Sequence, residues 1–113
     1  MNTSGFIRGY MAKNMDVEEF IKRVIGALNR EFEELDNGIL LEIKNDEFLI
    51  EMEKHQISIS KEEAGELKSP YGLDKYILDE FQKQGFELDK NRSQYIKYCY
   101  GNFANAEVID IEE

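Results

Sequence analysis

The sequence predicts a single α+β domain in the order helix, three-stranded antiparallel meander and two further helices, with the helices packed on one face of the sheet. Two observations indicate this fold. Apolar residues recur at helical spacing over residues 16–35 and again over residues 73–100, and between them the period falls to two over residues 39–60. Because 113 residues have room for one hydrophobic core, the helices and the sheet are expected to share it.

The first predicted helix covers residues 16–35. Asp16 and Glu19 have the spacing of a capping box, in which each side chain satisfies a free backbone N–H at a helix start. Asp36-Asn37-Gly38 is suited to a left-handed cap that ends the helix. The stripe that this helix must bury consists of Val17, Phe20, Ile21, Val24, Ile25, Leu28, Phe32 and Leu35.

Three strands are predicted next, because apolar and polar residues alternate over residues 39–44, 48–53 and 57–60. Asn45-Asp46 suits a tight hairpin turn, since both residue types tolerate positive φ. A second turn is predicted at Lys54-His55-Gln56, which places His55 in solvent.

The helices of the second half are predicted from their capping signals. Residues 61–68 form a polar connection with room for a helical turn. Ser69-Pro70 is a typical helix start, and Gly85 ends that helix. Asp89 or Asn91 is expected to cap a third, short helix that runs through Tyr100.

Three divisions of the chain follow from this pattern. Residues 1–14 are expected to form a flexible arm, because Gly5 and Gly9 interrupt any periodicity. Residues 15–105 form the α+β domain. Residues 106–113 are expected to form an acidic tail or an added edge strand.

The chain is strongly acidic, with 24 acidic and 14 basic residues and a net charge of −10. Nucleic-acid and anionic membrane surfaces repel such a chain, so neither is an expected partner. A basic protein surface is the expected partner, although solubility alone is an alternative explanation of the charge. Most of the charge lies in residues 1–66, with 15 acidic and 8 basic side chains, whereas residues 67–105 have 5 acidic and 6 basic ones.

Two groups of side chains are candidates for partner binding. Carboxylates crowd the end of the first helix and the solvent face of the sheet, where like charges facing each other across strands are unfavourable. Tyrosines in the last third of the chain lie among basic residues, and exposed tyrosines favour interfaces, although the core is an alternative place for them. The candidate residues are Glu31, Glu33, Glu34, Asp36, Glu42, Glu51, Glu53, Tyr71 and Tyr98.

The residues needed for catalysis are scarce. His55 and Cys99 are the only histidine and the only cysteine, and the glycines are too isolated for a phosphate-binding loop. We therefore expect no enzymatic activity, no metal and no cofactor. The first residues lack the apolar run of a signal peptide, so a cytoplasmic location is expected.

Two resemblances accompany these patterns. The segment Lys90-Asn91-Arg92-Ser93-Gln94-Tyr95-Ile96-Lys97-Tyr98-Cys99-Tyr100 resembles the second helix of ribbon-helix-helix DNA-binding proteins, which implies a dimeric regulator built on the last two helices. That family also has a basic strand before its helices, and residues 57–60 carry no basic side chain.

In length, charge and order of elements, the chain is similar to phage-encoded anti-CRISPR inhibitors. That resemblance implies a protein that presents carboxylates where a nuclease would hold DNA phosphates. The leading functional hypothesis is a non-enzymatic inhibitor that binds a basic groove of a nucleic-acid-handling protein. The alternatives are the DNA-binding regulator and a small accessory or immunity-type protein without mimicry.

Overall fold

The computed structural model describes residues 5–101, which form five helices and three strands. Together they confirm the predicted α+β class. The strands form one antiparallel sheet in the order β1-β2-β3, and the helices pack against one of its faces. The elements are α1 Gly5–Asn14, α2 Val17–Glu31, β1 Ile39–Lys44, β2 Glu47–Met52, β3 His55–Ser60, α3 Lys61–Glu66, α4 Gly72–Lys83 and α5 Gln94–Cys99.

Two tight turns connect the strands. The predicted turn at Asn45-Asp46 is confirmed, with Asn45 in the left-handed region at φ 47°. The second turn is Glu53-Lys54, one residue earlier than predicted, and Glu53 adopts φ 55°. Because a side chain with a Cβ is disfavoured at positive φ, Glu53 is a point of backbone strain.

Helix α2 provides the main apolar face against the sheet. The Asp16 carboxylate accepts a hydrogen bond from the backbone N–H of Glu19 at 2.9 Å, which confirms the predicted cap. The helix ends at Glu31, four residues earlier than predicted, and Phe32 packs edge-on against Phe86 with ring centroids 5.6 Å apart. The buried residues of α2 are Phe20, Ile21, Val24, Ile25, Ala27 and Leu28.

Asn29 joins α2 to the start of β1. Its Oδ1 accepts a hydrogen bond from the backbone N–H of Ile39 at 2.7 Å, and its Nδ2 donates to the Ile39 carbonyl at 3.0 Å. Gly38 precedes the strand with φ +66°, and a Cβ there would lie 2.6 Å from Asn29 Oδ1. Glycine is therefore required at this position by both backbone conformation and space.

Serine side chains support the starts of the later helices. Ser60 caps α3, and the Ser69 hydroxyl accepts a hydrogen bond from the Gly72 backbone N–H at 3.1 Å, one turn before α4. Helix α5 is capped by Ser93, whose Oγ accepts from the Ile96 N–H at 3.1 Å. The predicted cap was Asp89 or Asn91, so this helix begins later than predicted. The predicted tail or edge strand at residues 106–113 lies outside the described residues.

Helix α1 occupies most of the segment that the sequence analysis gave as a flexible arm. The arm was expected because glycines interrupt the apolar pattern, but the helix is held from its side by Arg8, which is only 1% exposed. Met11, Ala12 and Met15 pack against the core below it. Its outer face leaves Phe6 exposed. The buried Arg8 side chain and a few apolar contacts with the core therefore position this helix.

Candidate functional site

Carboxylates from two separate segments meet at one edge of the molecule. The loop after α2 and the β2–β3 turn line a shared open groove of about 450 Å³. Glu34 and Asp36 come from the loop, and Glu53 comes from the turn. Glu53 and Glu51 also line the adjoining hollow beside Leu40. We call Glu34, Asp36, Glu51 and Glu53 the acidic edge.

The outer face of the sheet continues from the acidic edge as a mixture of carboxylates and leucines. Across β1 and β2, Leu40 faces Glu51 and Glu42 faces Leu49. The expected juxtaposition of like charges is therefore wrong, because the register pairs each glutamate with a leucine. Glu42 lies 3.8 Å from Lys44 in an exposed pair, and Leu40 is 53% exposed. This face offers apolar contact area between negative charges.

Glu31 differs from the acidic edge because it holds the fold together. Its carboxylate lies 2.7 Å from Arg92 Nε and accepts a hydrogen bond from the Ser93 hydroxyl at 2.9 Å. Arg92 also reaches Glu34 at 3.3 Å and covers the Phe32 ring. The carboxylates at the end of α2 are thus partly compensated by a cation 61 residues later in the chain.

The environment of Glu34 favours its ionised form. Its pKa lies below the ordinary glutamate value, mainly because its own backbone N–H donates to the carboxylate and also because Arg92 adjoins it. Glu33 and Asp36 are exposed. The acidic edge is therefore negatively charged at neutral pH.

The two candidate tyrosines lie apart from the acidic edge, among α1, α4 and α5. The Tyr71 ring packs against the Arg8 guanidinium at 5.2 Å and against Tyr98 at 5.5 Å. Its hydroxyl is buried and has no hydrogen-bond partner among the described residues, and burial raises the pKa of Tyr71. Tyr71 is half-buried beside the Arg8 guanidinium, and its role in binding a partner stays a prediction.

A buried ionic cluster that the sequence analysis missed lies beneath Tyr71. Arg8 Nη1 and Nη2 each donate to one Asp74 carboxylate oxygen at 2.7 Å, and Nη1 also donates to the Pro70 carbonyl at 2.8 Å. The Tyr95 hydroxyl donates a short hydrogen bond to Asp74 Oδ2. Both charged side chains are almost fully shielded from water. This cluster connects α1, α4 and α5.

One signal in the sequence points to this cluster. Asp74, Ile77, Leu78 and Phe81 share the spacing of one helix face, and all four are buried. A carboxylate within an apolar stripe requires a cation, because an unpaired buried charge is strongly unfavourable. Sequence separation conceals the partner, since Arg8 lies 66 residues away.

His55 and Cys99, the histidine and the cysteine considered for catalysis, are both buried. His55 is buried in β3 against Phe81 and Phe86, at centroid distances of 6.3 and 6.4 Å. The expectation that it lies exposed in a turn is wrong, because β3 begins two residues earlier than predicted and His55 shares the inward face of Ile57 and Ile59. Burial raises the pKa of Cys99, so its thiol is protonated at neutral pH.

Within residues 5–101, no group of three His, Cys, Asp or Glu side chains is arranged to hold a metal ion. No helix in the same range is long and apolar enough to cross a membrane.

Comparisons of the chain with protein-family models, with curated proteins and with solved structures give no match.

Proposed function

We propose that this protein binds a basic surface of a nucleic-acid-handling protein through the acidic edge and inhibits it by competing with nucleic acid. The observation that carries this proposal is the convergence of exposed carboxylates from the α2–β1 loop and the β2–β3 turn. Carboxylates held side by side repel one another, and a cationic partner relieves that repulsion.

Apolar side chains beside the acidic edge favour protein binding, in addition to the electrostatic attraction that the carboxylates provide. Leu40 is exposed between Glu42 and Glu51, on a sheet face that helices of the described chain leave open. Protein interfaces combine an apolar centre with a polar rim. In this proposal, Leu40 and Leu49 provide the contact and the surrounding carboxylates provide steering and specificity.

The proposed activity is binding and not catalysis. His55 and Cys99 are buried, and neither lines the groove of the acidic edge. The carboxylates stand in for phosphates, which a basic groove of a nuclease or polymerase holds by charge.

Affinity capture with three forms of the chain tests this proposal. The wild type is compared with a variant that neutralises the acidic edge, Glu34→Gln, Asp36→Asn, Glu51→Gln and Glu53→Gln. A control neutralises four exposed acids elsewhere, Glu62→Gln, Glu63→Gln, Glu66→Gln and Glu87→Gln. Both variants change the net charge equally, so the comparison isolates position from total charge.

Each immobilised form is incubated with nuclease-treated bacterial lysate supplemented with purified CRISPR effector nucleases, which hold nucleic acid in basic channels. We expect a basic nucleic-acid-binding protein to be retained by the wild type and the control, lost from the acidic-edge variant, and released by salt or excess duplex DNA. Equal retention on all three forms, or no such protein on the wild type, contradicts the proposal.

A further inference from the structure

A basic groove lies on the opposite side of α2 from the sheet, in a protein whose net charge is −10. The groove runs between α1 and α2, encloses about 260 Å³, and has Met11 on its α1 side. Lys22, Arg23 and Arg30 bring three cationic side chains to it from α2.

The cations that α2 brings to the groove have no acidic partner in the part of the chain that the structure describes. Within residues 5–101, Lys22, Arg23 and Arg30 form no ion pair. Two acids near the ends of the same helix are engaged elsewhere: Glu18 binds Lys61 at 2.5 Å, and Glu31 binds Arg92. Glu19, in the first turn, forms no ion pair among the described residues. In this part of the chain, three positive charges therefore line the groove without a carboxylate partner.

Gly26 gives a second, independent indication of a ligand. It lies on the groove between the cations, in the middle of α2, where glycine is less favourable than any residue except proline. A Cβ at this position would meet only Arg30 Nη1, at 3.9 Å, so packing within the described chain does not require glycine. Absence of a side chain does allow a ligand to approach the helix backbone closely.

The dimensions of the groove indicate the class of anion. Lys22 and Arg30 are eight residues apart, about 12 Å along the helix at a rise of about 1.5 Å per residue. This row of three cationic side chains is longer than the binding of a single phosphate requires. A nucleic-acid strand that continued past the groove would meet the carboxylates of Glu18 and Glu31 at the ends of the helix. A short, multiply charged anion fits these limits.

We propose that the groove between α1 and α2 binds a linked di- or triphosphate, either free or as part of a nucleotide. Arg23 and Arg30 hold phosphate oxygens through their planar guanidinium groups, and Lys22 adds a third positive charge. Gly26 lets the phosphate chain lie against the helix. This site is separate from the acidic edge and does not depend on its proposed function.

Isothermal titration calorimetry of the full chain at low ionic strength tests the site, with sodium pyrophosphate and ADP as the two probes. We expect both to bind, with equal affinities if phosphate alone is recognised and a tighter ADP complex if a nucleoside is also contacted. Failure of both probes to bind the wild type overturns the proposal.

Variants then locate the binding. Arg23→Gln with Arg30→Gln is expected to weaken pyrophosphate binding at least about tenfold, because two charge-assisted contacts are lost. Lys44→Gln with Lys54→Gln makes the same charge change on exposed residues outside the groove and is expected to leave the affinity unchanged. If both double variants bind pyrophosphate equally well, the ion is held elsewhere and the site is wrong.

The variant Gly26→Ala distinguishes an effect on ligand binding from an effect on stability. It retains every charge and should raise the thermal midpoint, because alanine favours the helix. We expect it to weaken pyrophosphate binding at least about threefold by filling the groove floor. A variant that is more stable and binds pyrophosphate as tightly as the wild type rules out close approach to the backbone at Gly26 and overturns the arrangement.

Discussion

The buried cluster around Arg8 and the acidic edge place ionised groups in opposite environments. Arg8 and Asp74 are removed from water and compensate each other through two hydrogen bonds. The carboxylates of the acidic edge are exposed and line one groove and the hollow beside it. In the cluster the two charges are buried against each other, whereas in the acidic edge the side chains face solvent and Arg92 reaches only Glu34.

This difference separates residues that hold the fold from residues that are free to bind. Removing one member of a buried ion pair leaves its partner uncompensated, which is strongly destabilising. An exposed carboxylate can be replaced with little effect on the free energy of unfolding. The acidic edge is therefore able to serve binding without supporting the structure.

The largest expected effect comes from Asp74→Ala, which leaves the Arg8 guanidinium buried without its carboxylate. We expect the free energy of unfolding to fall by about 3–5 kcal/mol, measured by urea denaturation. The double variant Arg8→Met with Asp74→Leu removes both charges and should recover most of that loss. A loss below about 1 kcal/mol for the single variant would remove the contrast between the two regions.

Glu31 lies between the buried cluster and the acidic edge in character, because it is half-buried and is bound by Arg92 and Ser93. Ser93→Ala removes both the cap of α5 and the hydrogen bond to Glu31. We expect a loss of about 1 kcal/mol in urea denaturation. Ser58→Ala, on the exposed face of β3, is the matched control and should change the value by less than about 0.5 kcal/mol. Equal effects of the two substitutions would contradict the structural role of Ser93.

The smallest expected effect has the opposite sign and lies in the acidic edge. Glu53 occupies the left-handed region at φ 55°, which asparagine tolerates better than glutamate. Glu53→Asn should therefore raise the free energy of unfolding by about 0.5–1 kcal/mol. Glu53→Gln removes the same charge but keeps a long side chain at positive φ, so it should change stability by less than about 0.5 kcal/mol. If Glu53→Gln stabilises as much as Glu53→Asn, repulsion and not backbone strain is the cause.

The sequence predicted the elements that depend on residues close together in the chain. The stripe of α2, the Asp16 cap, the Asn45-Asp46 turn and the Gly85 helix end are each encoded within a few residues, and the structure contains all of them. Strand β3 begins two residues earlier than predicted, and because the strand period is two, His55 lies on the same buried face as Ile57 and Ile59.

Contacts between residues far apart in the chain could not be predicted from local sequence patterns. Helix α1 depends on the bond between Arg8 and Asp74, and its own apolar pattern is weak. The acidic edge was predicted as a set of carboxylates, but the meeting of Glu34 with Glu53 follows from the position of a loop against a turn. Glu31 and Tyr71 were included among the candidates because burial cannot be read from charge or aromatic character alone.

Two hydrogen bonds between Asn29 and Ile39 fix the last turn of α2 to the first residue of β1. The two ends of the loop formed by residues 33–37 are therefore held in place whatever side chains the loop carries. A closed surface loop tolerates insertion and substitution at a small entropic penalty. Glu34 and Asp36 lie in this loop. We therefore expect variants with a different loop length or charge to keep the same scaffold, because Asn29 and Gly38 lie outside the altered residues. Under the proposed function, such variants would differ in the partner they bind.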